Sequence, residues 1–189
     1  MKGWKERAEM EFFEKQIETS TVYKGLIINV KLDVAEIQNG KRVKREIVVH
    51  PGGVGIVPLT DDNKVLMVRQ YRYPVGEEIL EIPAGKLDEG EDPLTCAIRE
   101  LSEETGCTAG KYIDLGVIYP SPGICRENLY IYLALDLQYS EMSLDEDEFL
   151  SVEQVGVDDL IDRIMANKLP DAKSIIGIMK TKRYLEMNR

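Results

Sequence analysis

The chain has 189 residues, of which 34 are acidic and 24 basic, so its formal net charge is −10. This charge repels a polyanionic backbone and argues against nonspecific binding to nucleic acid, and no stretch approaches the roughly 18 apolar residues of a membrane span. The three cysteines are odd in number and lack CxxC spacing, so we expect reduced thiols in a cytoplasmic protein rather than disulfides or a zinc site.

Residues 1–50 predict a small antiparallel β-module with a short leading helix. The opening run MKGWKERAEMEFFEKQ is charged and predicted to be helical, and two β-rich runs, 19–38 and 41–50, meet at Asn39-Gly40, a strong signal for a two-residue hairpin turn. Such a short segment with few large hydrophobic residues would struggle to form its own core. We therefore expect it to pack either on the sheet of its own monomer or on a second chain.

Two further strands are predicted around the turn Asp61-Asp62-Asn63. They are GVGIVPLT (53–60) and KVLMVRQYRYP (64–74), and the second leads directly into EILEIPAG (78–85). Arg69 and Arg72 lie near its end with Tyr71 between them. Guanidinium groups suit phosphate oxygens and an aromatic ring can stack on a base, although a solvated strand end is the plain alternative.

A helix is predicted from Pro93 to Thr105. Asp92 is a suitable N-cap with Pro93 in the first helical position, and Gly106 supplies a left-handed stop. Apolar residues recur at helical spacing and predict a packed face. That face comprises Leu94, Ala97, Ile98 and Leu101. An adjoining face of the same helix is acidic.

The acidic face carries Glu100, Glu103 and Glu104 close to the end of the helix. The helix dipole is negative there and like charges at i,i+4 repel, so helix stability alone argues against this placement. Hard oxygen ligands in an open cluster suit Mg2+ or Mn2+, and Arg99 could steady the carboxylates. The alternative is a solvated acidic face.

Beyond the helix, residues 112–137 predict strand, loop and strand, and the loop contains Pro122 and Glu127. The C-terminal part predicts an acidic loop around DEDE (145–148), one strand and two amphipathic helices. The last helix, Ala172 to Met187, should cap the sheet with an apolar face. That face comprises Ile175, Ile176, Ile178 and Met179. We assign no role to His50, the sole histidine.

The spacing around the central helix resembles the Nudix box. It runs Gly85, five residues, Glu91, seven residues, Arg99-Glu100-Leu101, one residue, Glu103-Glu104, one residue, Gly106 and then a hydrophobic position, here Cys107. Resemblance to Nudix hydrolases implies an α/β/α sandwich around a mixed sheet, which we expect over residues 51–189. It also implies hydrolysis of a nucleoside diphosphate linked to another moiety.

The resemblance also implies roles for residues of the box. Glu100 and Glu104 become the principal metal ligands, with Glu103 assisting and the carbonyl group of Ala84 completing the shell. The expected cofactor is Mg2+, or Mn2+. Arg99 is placed with the catalytic groups as the residue that steadies the carboxylates. Gly85 is placed at the substrate, because a glycine lets the backbone pass close to it.

An RQYR element followed by ExPAG is similar to the ADP-ribose pyrophosphatase branch of the family. This resemblance implies that Arg69 and Glu81, and with less support Arg72, bind substrate. Pro122, 16 residues beyond Gly106, is a marker of the same branch.

In that branch a glutamate from the loop before the last long strand orients or deprotonates the attacking water, which points to Glu127. Relatives often have a second acid where this chain has Arg126, so Glu103 remains the alternative base. Relatives also exchange their N-terminal β-module between subunits, so we expect a homodimer with residues 1–50 at the interface.

The function implied is metal-dependent hydrolysis of ADP-ribose to AMP and ribose 5-phosphate. Alternatives left open are a Nudix hydrolase for another nucleoside diphosphate sugar or a modified nucleoside triphosphate, and a catalytically inactive ligand-sensing module.

Overall fold

The computed structural model describes residues 12–139 and 149–188. The DEDE run at 145–148 and most of the predicted leading helix lie outside these residues. The strands are β1 (Glu14–Lys24), β2 (Asn29–Ile37), β3 (Arg42–Val49), β4 (Gly53–Pro58), β5 (Lys64–Arg72), β6 (Glu77–Glu81), β7 (Ala84–Lys86), β8 (Cys107–Ile118), β9 (Cys125–Arg126), β10 (Leu129–Tyr139) and β11 (Leu150–Gly156). The helices are α1 (Pro93–Thr105), α2 (Val157–Met165) and α3 (Ala172–Met187). Among these described helices, none is long and apolar enough to cross a membrane.

The chain divides into two compact units. The first holds the described residues up to His50 together with Ser121–Arg126, and the second holds Pro51–Pro120 and the described residues from Glu127 onward. A boundary after residue 50 was expected from the sequence. The inclusion of Ser121–Arg126 in the first unit was not.

The first unit is a sheet with the strand order β1-β2-β3-β9. Strands β1, β2 and β3 are antiparallel, as the sequence predicted, and β9 pairs with β3 in parallel. The predicted two-residue turn is wrong, because Ile37 N donates to Lys41 O at 3.0 Å and leaves three residues in the loop. Gly40 supplies the left-handed position with φ 80°, as expected when a turn is followed by a glycine bulge.

The helix predicted up to Gln16 is also wrong where it can be checked. Glu14 pairs with Ile37 and Gln16 pairs with Ala35, so this part of the chain is strand. Pairing with β2 provides partners for the backbone N–H and C=O groups of this segment. A short helix without tertiary packing would be only marginally stable. Most of β1 is nevertheless exposed.

The second unit contains two sheets. One has the order β7-β4-β10-β8 and is mixed, because β4 and β10 are parallel and the other pairs are antiparallel. The other has the order β11-β5-β6 and is antiparallel.

Helices cover both faces of these sheets, so the expected α/β/α sandwich is confirmed. Val54 and Ile56 of β4 pack in a core cluster with residues of α1, whereas Val57 packs in a second cluster with residues of α2 and α3. Gly177 allows the close approach of α3 to β4, since a Cβ at this position would lie 2.9 Å from Cγ2 of Val57. Alternate residues of one strand therefore anchor the two outer layers.

The predicted bounds of α1 are confirmed, but not its packed face. Asp92 accepts hydrogen bonds from Leu94 N and Thr95 N, and Gly106 ends the helix with φ 64°. Leu94 and Ile98 are exposed, whereas Glu100 and Glu104 are buried. Tertiary packing has turned part of the acidic face inward.

The predicted bounds of α3 are confirmed as well. Of its apolar residues, Ile178 is fully buried and Met179 is exposed. The prediction that Met179 packs is therefore wrong, and small residues fill the contact instead. The buried residues of α3 are Ser174, Gly177, Ile178 and Thr181.

Candidate active site

The site forms where β7 passes the second half of α1. Pairing of β7 with β4 brings Ala84 and Gly85 to this helix. Ala84 N donates a hydrogen bond to Oε2 of Glu104 at 2.9 Å. A Cβ on Gly85 would lie 1.8 Å from the carboxyl carbon of Glu100. The strand β7 and the side chain of Glu100 thus fit together only because position 85 has no side chain.

Both of these glutamates are removed from solvent. Glu100 is 7% exposed and Glu104 is 2% exposed, whereas the side chain of Glu103 is 35% exposed. A buried carboxylate is costly unless hydrogen bonds or cations compensate it. The three acids therefore divide into an inner pair and a more accessible third group.

Arg99 joins the carboxylates of the box. Its Nη1 donates to Glu100 at 2.8 Å and to Glu103 at 2.9 Å, and its Nε donates to Glu91 at 3.1 Å. These bonds raise the pKa of Arg99, with the bond to Glu91 contributing most. The hydrogen bond from Arg99 lowers the pKa of Glu91 to about 2, helped by the backbone N–H of Asp88. One guanidinium thus ties three carboxylates together.

The donor chemistry of this cluster fits a divalent cation. Carboxylate oxygens are the hard ligands that Mg2+ and Mn2+ prefer, and the single charge of Arg99 balances only part of the charge of its three partners. Within residues 12–139 and 149–188, however, no three Asp, Glu, His or Cys side chains are arranged as a group that could hold one ion. Arg99 instead binds oxygens of Glu100 and Glu103.

A second cluster surrounds Glu81, which is 2% exposed. Arg72 approaches it side-on, with Nε 2.6 Å from Oε1 and Nη2 3.1 Å from Oε2, and Nζ of Lys173 also donates to Oε2. Lys173 is also paired with Asp171 at 3.1 Å. Burial lowers the pKa of Arg72, but the bond to Glu81 and the charges of Glu81, Glu104 and Asp171 outweigh it, so this pKa is raised. Arg72 therefore lies within the field of Glu104.

The start of α3 is bonded to the segment that leads into the site. Asp171 caps the helix by accepting from Ser174 N at 3.0 Å and from Ser174 Oγ at 2.5 Å. Oγ of the buried Ser174 in turn accepts from Ile82 N at 2.8 Å. The chain from Ile82 to Ala84 is thus held by α3 at one end and by Glu104 at the other.

Arg69 lies on the other face of the sheet from Arg72. Successive residues of a strand point to opposite faces, and β5 pairs with β6 without an irregularity from Val68 to Arg72. Nε of Arg69 donates to Oε1 of Glu153 on β11 at 2.6 Å. Of the two arginines, Arg72 is therefore the one that shares a cluster with Glu81.

Glu127 and Pro122 belong to different units. Pro122 is exposed in the first unit, and Glu127 is half-buried in the second, just before β10. Leu129 of β10 pairs with Gly53, and Gly53 pairs on its other side with Lys86 of β7. Since neighbouring strands are about 4.8 Å apart, the backbone near Glu127 enters the sheet on the order of 10 Å from β7. The roles of both residues remain predictions.

The sequence predicted α3 from Ala172 but no role in the site for the side chains of Lys173, Asp171 or Ser174. Asp is a preferred N-cap residue, so the helix start at Asp171 could be predicted from the sequence. The contact of Lys173 with Glu81 joins residues 92 positions apart, and no local pattern encodes it.

Fold and site together define the class of protein: an α/β/α sandwich in which a carboxylate-bearing helix packs against a glycine of a neighbouring strand. Residues 49–176 match the NUDIX domain family, and the chain belongs to that family.

Relatives match over most of the chain. It is 41% identical over 176 residues to the ADP-ribose pyrophosphatase of Bacillus subtilis (strain 168), covering 92% of this chain and 93% of the relative. It is 39% identical over 178 residues to the methanol dehydrogenase activator of Bacillus methanolicus, covering 93% and 94%. A crystal structure of an ADP compounds hydrolase matches with a TM-score of 0.82 over 93% of this chain and 95% of that chain. Since its sequence identity is 24%, this likeness shows the fold alone.

Proposed function

We propose that this protein hydrolyses the pyrophosphate bond of ADP-ribose and releases AMP and ribose 5-phosphate. The observation that carries the proposal is the placement of the buried carboxylates of Glu100 and Glu104 against Gly85 and Ala84. The relative from Bacillus subtilis, which is named ADP-ribose pyrophosphatase, supports this choice of substrate.

Hydrolysis would depend on a divalent metal ion, Mg2+ or Mn2+. Glu100, Glu103 and Glu104, with the carbonyl group of Ala84, would hold it. When bound, such an ion neutralises diphosphate charge and lowers the pKa of water. Arg99, which donates to Glu100 and Glu103, would balance part of their negative charge.

The remaining residues would bind substrate and move a proton. The guanidinium of Arg72 would bind the diphosphate, since the charge of Glu104 acts on it and its side chain is 39% exposed. Glu81 would orient this arginine. Glu127, or Glu103, would take a proton from the attacking water. Contacts of substrate with Arg69 and Pro122 remain part of the proposal.

The test is product analysis with a substrate panel. Purified protein would be given ADP-ribose, UDP-glucose, diadenosine polyphosphates and 8-oxo-dGTP, each with Mg2+ and with EDTA. We expect the highest kcat/KM with ADP-ribose, AMP and ribose 5-phosphate as products, and no turnover in EDTA. Preference for the triphosphate would overturn the choice of substrate, and full activity in EDTA would overturn the metal dependence.

A glutamine at position 104 tests the ligand assignment within the same assay. Its carbonyl oxygen can still accept the bond from Ala84 N, so Glu104→Gln should fold normally while losing at least about 100-fold in kcat. The control is Glu186→Gln, which changes an exposed residue of α3 and should leave kcat unaltered. Near-normal turnover by Glu104→Gln would remove Glu104 from the metal site.

We also propose that the protein is a cytoplasmic homodimer with its first unit at the interface. Large apolar side chains of that unit are exposed, which supports a role in association. They are Phe12, Phe13, Val22, Tyr23, Leu26 and Ile27. The free cysteines support a reducing compartment.

A further inference from the structure

The buried carboxylate of Glu81 is shared by two cations. Arg72 uses Nε and Nη2 to bind it side-on, and Lys173 binds the oxygen that accepts from Nη2. The side-on pair leaves Nη1 on the far edge of the guanidinium. A bidentate arginine bond of this kind fixes the plane of the group as well as its position.

Lys173 is not required to neutralise Glu81. Arg72 supplies one positive charge to that carboxylate, and the negative charge of Asp171 balances Lys173 at 3.1 Å. The side chain of Lys173 is only 12% exposed, so its burial carries a desolvation cost that a neutral residue would avoid. What Lys173 adds is a fixed connection between Glu81 and the start of α3, where Asp171 is itself held by Ser174.

We propose that Lys173 is a positioning residue for substrate binding. It clamps Glu81 to the N-terminal end of α3, and Glu81 in turn holds the guanidinium of Arg72 in the plane that receives the diphosphate. This inference rests on the proposed function for its substrate. The clamp itself is a property of the ligand-free protein and can be observed there.

The first experiment observes the clamp without any ligand. The Nε–H signal of Arg72 would be assigned by its loss in Arg72→Lys, and its exchange with water measured by NMR in wild type, Lys173→Met and Lys182→Met. Lys182 lies on the same helix and pairs with the exposed Asp158, so it is a matched control. We expect exchange at least about tenfold faster in Lys173→Met only. Unchanged exchange would overturn the clamp, whatever the enzyme acts on.

The second experiment is a double-mutant cycle on ADP-ribose hydrolysis. Lys173→Met should raise KM about tenfold and change kcat less than about threefold, because a misplaced Arg72 weakens binding in the ground state and transition state alike. Lys173→Arg, which keeps the cation, should recover most of this loss. In an Arg72→Met background, Lys173→Met should alter KM by less than about twofold.

Each outcome of the cycle decides between two roles for Lys173. A Lys173→Met effect of the same size in both backgrounds would mean that Lys173 acts independently of Arg72, and an unaltered KM in the wild-type background would mean that it does not act on binding. Either result would overturn the inference. Absence of ADP-ribose turnover in the wild-type protein would instead count against the proposed function. The hydrogen-exchange measurement would still test whether Lys173 fixes Glu81 and Arg72. Should Lys173→Met not fold, Lys173→Gln would replace it in both experiments.

Discussion

Gly85 and Glu100 show how a single missing side chain shapes the candidate active site. The carboxyl group of Glu100 occupies the space that a Cβ on residue 85 would need. The backbone of Gly85 is not in the left-handed region, so its need for glycine comes from the close approach and not from its conformation. Space at position 85 therefore determines where the carboxylate of Glu100 lies.

We expect Gly85→Ala to inactivate the protein while leaving it folded. The new methyl group would displace the end of the Glu100 side chain, which can rotate to another position. Turnover of ADP-ribose should fall at least about tenfold, with a change in Tm of less than about 4 °C. Steady-state kinetics and thermal unfolding monitored by circular dichroism would measure the two effects.

The control for this substitution is Gly156→Ala. A Cβ there would meet only the carboxylate of Asp159, with Oδ2 at an ordinary 3.4 Å and Cγ at 3.8 Å, so activity should be retained. Equal losses in both variants, or full activity in Gly85→Ala, would contradict the steric argument.

At the scale of elements, both long helices were predicted with the right bounds but with part of the wrong face inward. In α1, Leu94 and Ile98 face solvent while Glu100 and Glu104 are buried. The spacing of apolar residues predicts which side of a helix is apolar. A helix that packs against a loop and two sheets can nevertheless bury a different side. The unexpectedly buried residues, Glu100 and Glu104, are those on which the proposed chemistry depends. Such departures from local sequence preference are expected at functional sites.

The neighbouring residues Ile178 and Met179 of α3 test this reading of the packed face. Ile178 is 0% exposed and Met179 is 45% exposed. Ile178→Ala should lower the free energy of unfolding by about 2–5 kcal/mol, because it deletes buried atoms and leaves a cavity. Met179→Ala should change it by less than about 0.5 kcal/mol. Urea unfolding of both variants would measure this, and equal losses would show that the face is wrongly placed.

At the scale of the whole molecule, the first unit is a sheet with little buried apolar surface of its own. Leu26 is fully exposed and Ile27 is 55% exposed in the turn between β1 and β2. Large apolar side chains exposed on so small a sheet are typical of an association surface. The proposed homodimer would bury such side chains.

Sedimentation velocity would test the homodimer. Wild type should have twice the 21.4 kDa mass of one chain, and Leu26→Asp should shift the population towards monomer by placing a charge in an apolar interface. Met187→Asp, an exposed position of α3, is the control and should remain dimeric. A monomeric wild type, or a dimer untouched by Leu26→Asp, would remove this surface from the interface.

The sequence by itself determined the features that depend on residues close together in the chain. Capping by Asp92 and the stop at Gly106 act within one turn of the helix, so α1 could be predicted to the residue, and the spacing from Gly85 to Gly106 was enough to indicate the family. The alternation of apolar and polar residues, together with turn-forming residues between the runs, likewise predicted most strands. The turn at Asn39-Gly40 was predicted in place but not in length, since the pairing of Ile37 with Lys41 involves both strands.

Only the tertiary structure decided which charged groups meet. The burial of Glu104 depends on where β7 passes α1, and the partners that Arg69 and Arg72 meet depend on the register of β5 against β11 and β6. The sharing of Glu81 by Arg72 and Lys173 joins residues from two strands and a distant helix. Burial and electrostatic pairing depend on distances in space. A change of register by one residue would move every side chain of a strand to the opposite face of the sheet. No local pattern of residues therefore encodes these contacts.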